Sequence, residues 1–167
     1  MLSTVMKPDD DAGARTALES LISADMRQLA AQSEQIGQRF AGTNNVRQTD
    51  FRALLHIMVA ETAGSPISHS ELRQRMGLSG AAITYLVDRL IESGHVRREA
   101  HASDRRKVTL RYSELGLATA RAFFTPLQGH MHRALSEFSD AELQTAHRVV
   151  AAVTAAMRQF YSELGTP

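Results

Sequence analysis

From Thr16 to Phe40 the residues Leu18, Ile22, Met26, Leu29, Ile36 and Phe40 fall on one stripe, with only Ser33 polar at the spacing that would continue it. The pattern predicts an amphipathic helix. Gly42-Thr43-Asn44-Asn45 reads as a loop, after which Thr49 or Asp50 is placed to cap a second helix carrying Phe51, Leu54, Leu55 and Met58. Ala63-Gly64-Ser65-Pro66 ends that helix. Ser68, three residues before Glu71, opens the next one as a capping box, with Ile67 and Leu72 at the positions of a hydrophobic staple. This short helix runs through Met76 and stops at Gly77, a residue suited to a left-handed C-terminal turn. Ser79 caps a further helix with Ile83, Leu86, Val87 and Leu90 facing inward, ending at Gly94. Two helices joined by so tight a turn are a helix-turn-helix candidate, with a plain helical subdomain as the other reading.

Beyond Gly94 the period changes from helical to alternating. Val108, Leu110 and Tyr112 point one way and Lys107, Thr109 and Arg111 the other, and Val96 to Glu99 can pair with them across a polar loop from Ala100 to Arg106. Ser113 then caps a long helix in which Leu117, Ala120, Phe124, Leu127, Met131, Ala134 and Phe138 recur every three or four residues, with a kink expected at Pro126. A second capping box, Ser139 with Glu142, opens a last helix whose register Leu143, Ala146, Val150, Val153, Met157, Phe160 and Leu164 keeps a 3-4 repeat. Terminal helices with such seams bury them against partners.

Composition narrows the chemistry. The 167 residues include no cysteine, which excludes disulfide frameworks, zinc ribbons and thiol nucleophiles. The longest apolar stretches are interrupted by His56 and Thr154 and fall short of the about 20 residues that span a bilayer. Met1 to Arg15 carries Pro8 and Asp9-Asp10-Asp11 with no apolar core, so residues 1–15 are expected to be a disordered tail rather than a signal peptide, and the protein to be cytoplasmic. The overall charge of +1 hides an asymmetry: His95 to Tyr112 holds Arg97, Arg98, Arg105, Arg106, Lys107 and Arg111 against Glu99 and Asp104. Like charges crowded on a hairpin tip repel one another, and a polyanion such as a phosphate backbone relieves that repulsion.

Several short motifs occur in a fixed order: Ile67-Ser68-x-x-Glu71-Leu72, Met76-Gly77-Leu78-Ser79, Leu86-Val87-Asp88-Arg89-Leu90, Ser93-Gly94-His95-Val96, Asp104-Arg105-Arg106 and Leu110-x-Tyr112-Ser113-x-x-Gly116. Together they resemble the MarR (multiple antibiotic resistance regulator) family of winged helix-turn-helix transcription factors. The resemblance implies a mainly α fold with a small β-hairpin wing, and long N- and C-terminal helices that form an intertwined homodimer. It implies that the second helix of the motif enters the major groove and that a wing arginine reaches the minor groove.

Carried over residue by residue, the resemblance makes Ser79 to Tyr85 the start of the recognition helix. Ser79 at the cap would bond a phosphate, Gly80, Ala81 and Ala82 would lie against the groove with the alanines on thymine methyls, and Thr84 or Tyr85 would reach a base edge or phosphate. Gly80-Ala81-Ala82 departs from a family stretch richer in hydroxyls, and Tyr85 stands where a basic residue is frequent. Tyr85 therefore has two readings, a DNA contact and an aromatic packed on its own helix. In the wing, Asp104 would brace the loop and Arg106 insert, against a plain solvated turn, while Arg97, Arg98, Arg105, Lys107 and Arg111 serve as phosphate contacts or solubilising charge. Arg89, next to Asp88, reads as an internal ion pair ahead of a phosphate contact, and His56, on an apolar helix face, as a satisfied core histidine ahead of a ligand's hydrogen-bond partner.

The expected organisation is a tail at 1–15, helical dimerisation regions at 16–62 and 114–164, and a winged helix-turn-helix at 63–113. The expected function is a homodimeric regulator that binds double-stranded DNA at a pseudo-palindromic operator, represses transcription, and is released by a small aromatic acid-like effector. DNA binding of this kind needs no cofactor. An enzyme is disfavoured, as no Ser-His-Asp order, metal-ligand spacing or phosphate-binding loop occurs. The remaining alternative is a protein-interaction module that reuses the winged fold without DNA.

Overall fold

The computed structural model describes the backbone of residues 8–101 and 104–165, and the side chains of residues 12–100 and 108–165. The order of elements is α1 (Pro8–Thr43), α2 (Gln48–Thr62), α3 (His69–Met76), α4 (Gly80–Glu92), β1 (Val96–His101), β2 (Asp104–Tyr112), α5 (Glu114–Leu135) and α6 (Asp140–Glu163). Residues 1–119 form one compact unit and residues 120–167 another.

The first helix corrects the expected tail. It starts at Pro8, not near Thr16, so residues 8–15 are helical, and residues 1–7 lie outside the described residues. The physical reason is legible afterwards: proline suits the first helical position, and three aspartates in the first turn complement the positive end of the helix dipole. The α1 stripe is only partly covered. Phe40 is buried and tilts against Phe51 of α2 with ring centroids 5.3 Å apart, whereas Leu18, Leu21 and Leu29 are exposed.

A second correction concerns the start of α2, where Arg47 is the N-cap residue and no side chain caps the helix. Neither Thr49 nor Asp50 does so; Asp50 is turned inward and buried. The capping boxes at Ser68–Glu71 and Ser139–Glu142 form as expected, with each hydroxyl accepting from the third residue's amide and each carboxylate accepting in return. Hydrogen bonds from Ser139 lower the Glu142 pKa. Gly77 ends α3 in the left-handed region at φ 63°, which lets the chain turn directly into the Ser79 cap of α4.

The core of the first unit gathers Leu54 and Ile57 from α2, Ile67 and Leu72 around α3, Ile83, Val87 and Leu90 from α4, and Leu110 from β2, all almost fully buried. Each such side chain contributes about 1.5–3 kcal/mol relative to exposure. The hairpin pairs antiparallel from Val96↔Tyr112 to Ala100↔Val108, then shifts register so that His101 meets Asp104. The strands thus run farther into the expected Ala100–Arg106 loop. Leu110 and Tyr112 face inward as expected, but Val108 is exposed and Thr109 is buried. The segment before α3 explains Thr109: Ser68 forms an isolated bridge to it and the Leu110 amide donates to the Ile67 carbonyl at 2.8 Å, which covers that side of β2.

Tyr112 anchors the end of β2. Its hydroxyl donates to the Leu54 carbonyl at 3.0 Å, and burial pushes the phenol pKa well above its usual value. Tyr112→Phe removes this one bond and is expected to cost about 1 kcal/mol of unfolding free energy in urea denaturation at fixed protein concentration. Beyond it, the Ser113 hydroxyl accepts from the Gly116 amide at 2.9 Å and caps α5. Gly116 is required because a Cβ there would collide with the His95 carbonyl.

The second unit contains the rest of α5 and all of α6. Pro126 lies inside α5, which continues through it to Leu135, so Phe138 falls in the turn before Ser139 rather than in the helix. In α6 no residue is buried; Val150, Met157, Phe160, Tyr161 and Leu164 are all exposed. No helix among the described residues is long and apolar enough to cross a membrane.

Candidate nucleic-acid interface

The first turns of α4 present a smooth, small-residue surface. Ser79, Gly80, Ala81, Ala82, Thr84 and Tyr85 are all exposed, while Ile83, Leu86, Val87 and Leu90 hold the opposite face in the core. The spacing of those four apolar residues fixes which side of α4 faces out. The Ser79 hydroxyl accepts from the Ala82 amide at 3.3 Å, and the positive end of the α4 dipole opens onto the same surface. Thr84 donates its hydroxyl proton to the Gly80 carbonyl at 2.9 Å and lies 3.4 Å from Nε2 of His69. His69 thus joins the face at the start of α3, a neighbour the sequence reading did not single out.

Tyr85 is 63% exposed, yet the Arg89 guanidinium lies over its ring at 4.9 Å from the centroid. The reading of an aromatic packed on its own helix therefore holds, and the ring also stays open to solvent. Arg89 in turn donates from Nε to Asp50 at 2.7 Å and from Nη2 to the other carboxylate oxygen. The expected internal ion pair is present, with Asp50 of α2 as the partner rather than the adjacent Asp88. Hydrogen bonding to Asp50 raises the Arg89 pKa further. Asp88 instead accepts from Arg98 of β1 at 2.8 Å, which ties α4 to the hairpin with both groups about half exposed. Arg98 is thus available to an anion only in competition with a carboxylate.

The backbones of Asp104, Arg105, Arg106 and Lys107 belong to β2, which places them at the far end of the hairpin from the core. Their side chains lie outside the described residues. Beside α4, a cavity of about 510 Å³ is lined by Ala41, Val46, Arg47, Asp50, Arg89 and Ser93, among others. Nη1 of Arg89, one of these lining residues, is buried without a hydrogen-bond partner. His56 is half-buried, and burial together with Arg75 and Arg52 lowers its pKa, which keeps it neutral near pH 7. Among the described residues no cluster of His, Asp or Glu could hold a metal ion.

Comparison with known proteins follows the same outline. Residues 45–107 match the sequence model of the MarR family. The chain is 28% identical over 130 residues to YcgE, an uncharacterized HTH-type transcriptional regulator of Bacillus subtilis, covering 78% of this chain and 82% of that protein. It is 29% identical over 106 residues to YetL, an HTH-type transcriptional repressor of the same organism, covering 62% of this chain and 60% of YetL. Among solved structures, a MepR mutant from S. aureus aligns with TM-score 0.65 at 12% identity over 81% of this chain and 96% of that one. A MarR family protein from Bacillus stearothermophilus aligns with TM-score 0.59 at 24% identity over 87% and 97%. These two share the fold.

Proposed function

We propose that this chain, whose residues 45–107 match the MarR family model, acts as a homodimeric, cytoplasmic regulator that represses transcription at a pseudo-palindromic operator. The observation that carries this reading is the exposed N-terminal face of α4, from Ser79 to Tyr85, set beside a hairpin whose sequence concentrates the positive charge of the chain. A helix with small residues at its first turn can approach base edges closely, and the hairpin supplies phosphate and minor-groove contacts. The alanines offer methyl contacts and few hydrogen bonds, which shifts discrimination toward groove shape and the wing. A second copy of the chain is the natural cover for the apolar faces of α1 and α6.

The cavity beside α4 supports a small anionic effector of the aromatic acid class. Its lining includes Arg89, whose buried Nη1 has no hydrogen-bond partner and whose guanidinium lies over Tyr85 on the outer face. An acid bound there would compete with Asp50 for Arg89 and so act on the recognition surface.

The wing gives the experiment. A guanidinium is more weakly hydrated than an ammonium and fits a narrow A·T-rich minor groove better. Arg106→Ala should therefore cost about 1–3 kcal/mol of operator affinity, and Arg106→Lys should recover only part of it. If Arg98 leaves Asp88 for a phosphate, lysine should substitute there almost fully. Equal rescue by lysine at both positions would reduce Arg106 to a phosphate contact, and full affinity in Arg106→Ala would remove the wing from the mechanism. Binding that ignores salt would favour the alternative, an interaction module without DNA.

A further inference from the structure

Arg97 and Arg111 face each other across the hairpin, a like-charged cross-strand pair that repels when left alone. Two carboxylates separate them. Glu99 lies 2.8 Å from Arg97 Nη1 through one oxygen and 3.2 Å from Arg111 Nε through the other. Glu61, in the last turn of α2, accepts from Arg111 Nη1 at 3.3 Å, and its second oxygen accepts from the Tyr112 backbone amide at 3.1 Å. The Glu61–Arg111 pair is mostly buried, with side-chain exposures of 24% and 29%.

Neither local helix physics nor DNA electrostatics favours a carboxylate at this place. At the C-terminal end of α2 a negative charge opposes the helix dipole, and in a DNA-binding lobe it repels phosphate. The contacts it makes all serve the hairpin: they fix the end of β2 on α2, and through Arg111 and Glu99 they reach β1. We propose that Glu61 is a positioning residue for the wing, a carboxylate that strengthens DNA binding by holding the base of the hairpin against α2. This rests on the DNA-binding reading above.

The two accounts of Glu61 differ in sign, which makes the test decisive. Bulk electrostatics has Glu61→Gln bind duplex DNA as tightly as wild type or more tightly; positioning has it bind more weakly. The full-length protein is titrated by fluorescence anisotropy against labelled duplex from the DNA flanking its own coding region. Glu61→Gln is expected to weaken binding about tenfold and to make the slope of log K against log salt shallower by about one, as a wing contact is lost. Its melting temperature should change by no more than about 2 °C, and Glu92→Gln, an exposed carboxylate on α4, should not weaken binding. In an Arg111→Gln background, Glu61→Gln should change affinity less than about twofold, because the partner is already gone. Where Glu61→Gln fails to fold, Arg111→Lys carries the test, since it keeps the charge and loses the two-sided fork; weaker binding with a shallower slope is expected. Wild-type affinity in Glu61→Gln, or in Arg111→Lys, overturns the positioning role. A wild-type protein with no salt-dependent affinity for duplex DNA overturns the functional reading itself, a separate result.

Discussion

Asp50→Ala should lower the unfolding free energy by about 3 kcal/mol, a larger loss than any other single polar substitution in the first unit. Asp50 is 3% exposed, and the Arg89 side chain it pairs with is 22% exposed. Removing the carboxylate leaves a guanidinium in the cavity wall with Nη1 already unpartnered and Nε and Nη2 newly so. The cost comes from that stranded charge rather than from the net worth of the pair, which is small once the desolvation of both groups is counted. Residual access of Arg89 to water keeps the figure at the low end of the buried range. Asp50→Ala combined with Arg89→Met removes both charges and should recover most of the loss. Urea unfolding at one fixed protein concentration measures both variants; a loss below about 1 kcal/mol in the single variant would show that water already serves Arg89.

Val153→Asp should abolish the dimer and, with it, operator binding. Val153 lies in the 3-4 register of α6, whose neighbours on that register, Val150, Met157, Phe160 and Leu164, are between 45% and 68% exposed in the single chain. A helix does not keep such a face in water without a partner, and a carboxylate placed within a buried seam has none to pair with. Sedimentation at low micromolar concentration should give a monomer or an aggregate in place of a dimer, and binding to a two-half-site duplex should be lost. A stable Val153→Asp dimer with wild-type affinity would move the interface away from α6.

Much of this fold is legible in the sequence because its signals are local. Ser68 with Glu71, Ser139 with Glu142 and Gly77 before Ser79 each fix a helix end through contacts within a few residues, and all three form as read. The alternation likewise announces the hairpin, though not its length or the exposure of Val108. What escaped is long-range. Asp50 beside Thr49 has the pattern of a cap, and nothing near it in the chain announces Arg89, a partner 39 residues away. Glu61 and Arg111 are 50 residues apart, and Thr109 is buried only because Ser68 arrives alongside it. The start of α1 was missed for another reason: Pro8 and three aspartates read as disorder by composition, but as a helix start by position. At the interface, the exposed set Ser79 to Tyr85 followed from the inward spacing of Ile83, Leu86, Val87 and Leu90, while the stacking of Arg89 on Tyr85 required the Asp50 contact that turns the guanidinium.

The central claim is that this protein reads duplex DNA as a symmetric dimer, and footprinting across the DNA flanking its own coding region at several salt concentrations tests it most directly. The account predicts a protected pseudo-palindrome whose half-sites are centred about one helical turn, or a multiple of it, apart, with log K falling linearly as log salt rises. Protection of a single asymmetric half-site, or an affinity for DNA that does not change with salt, would contradict it.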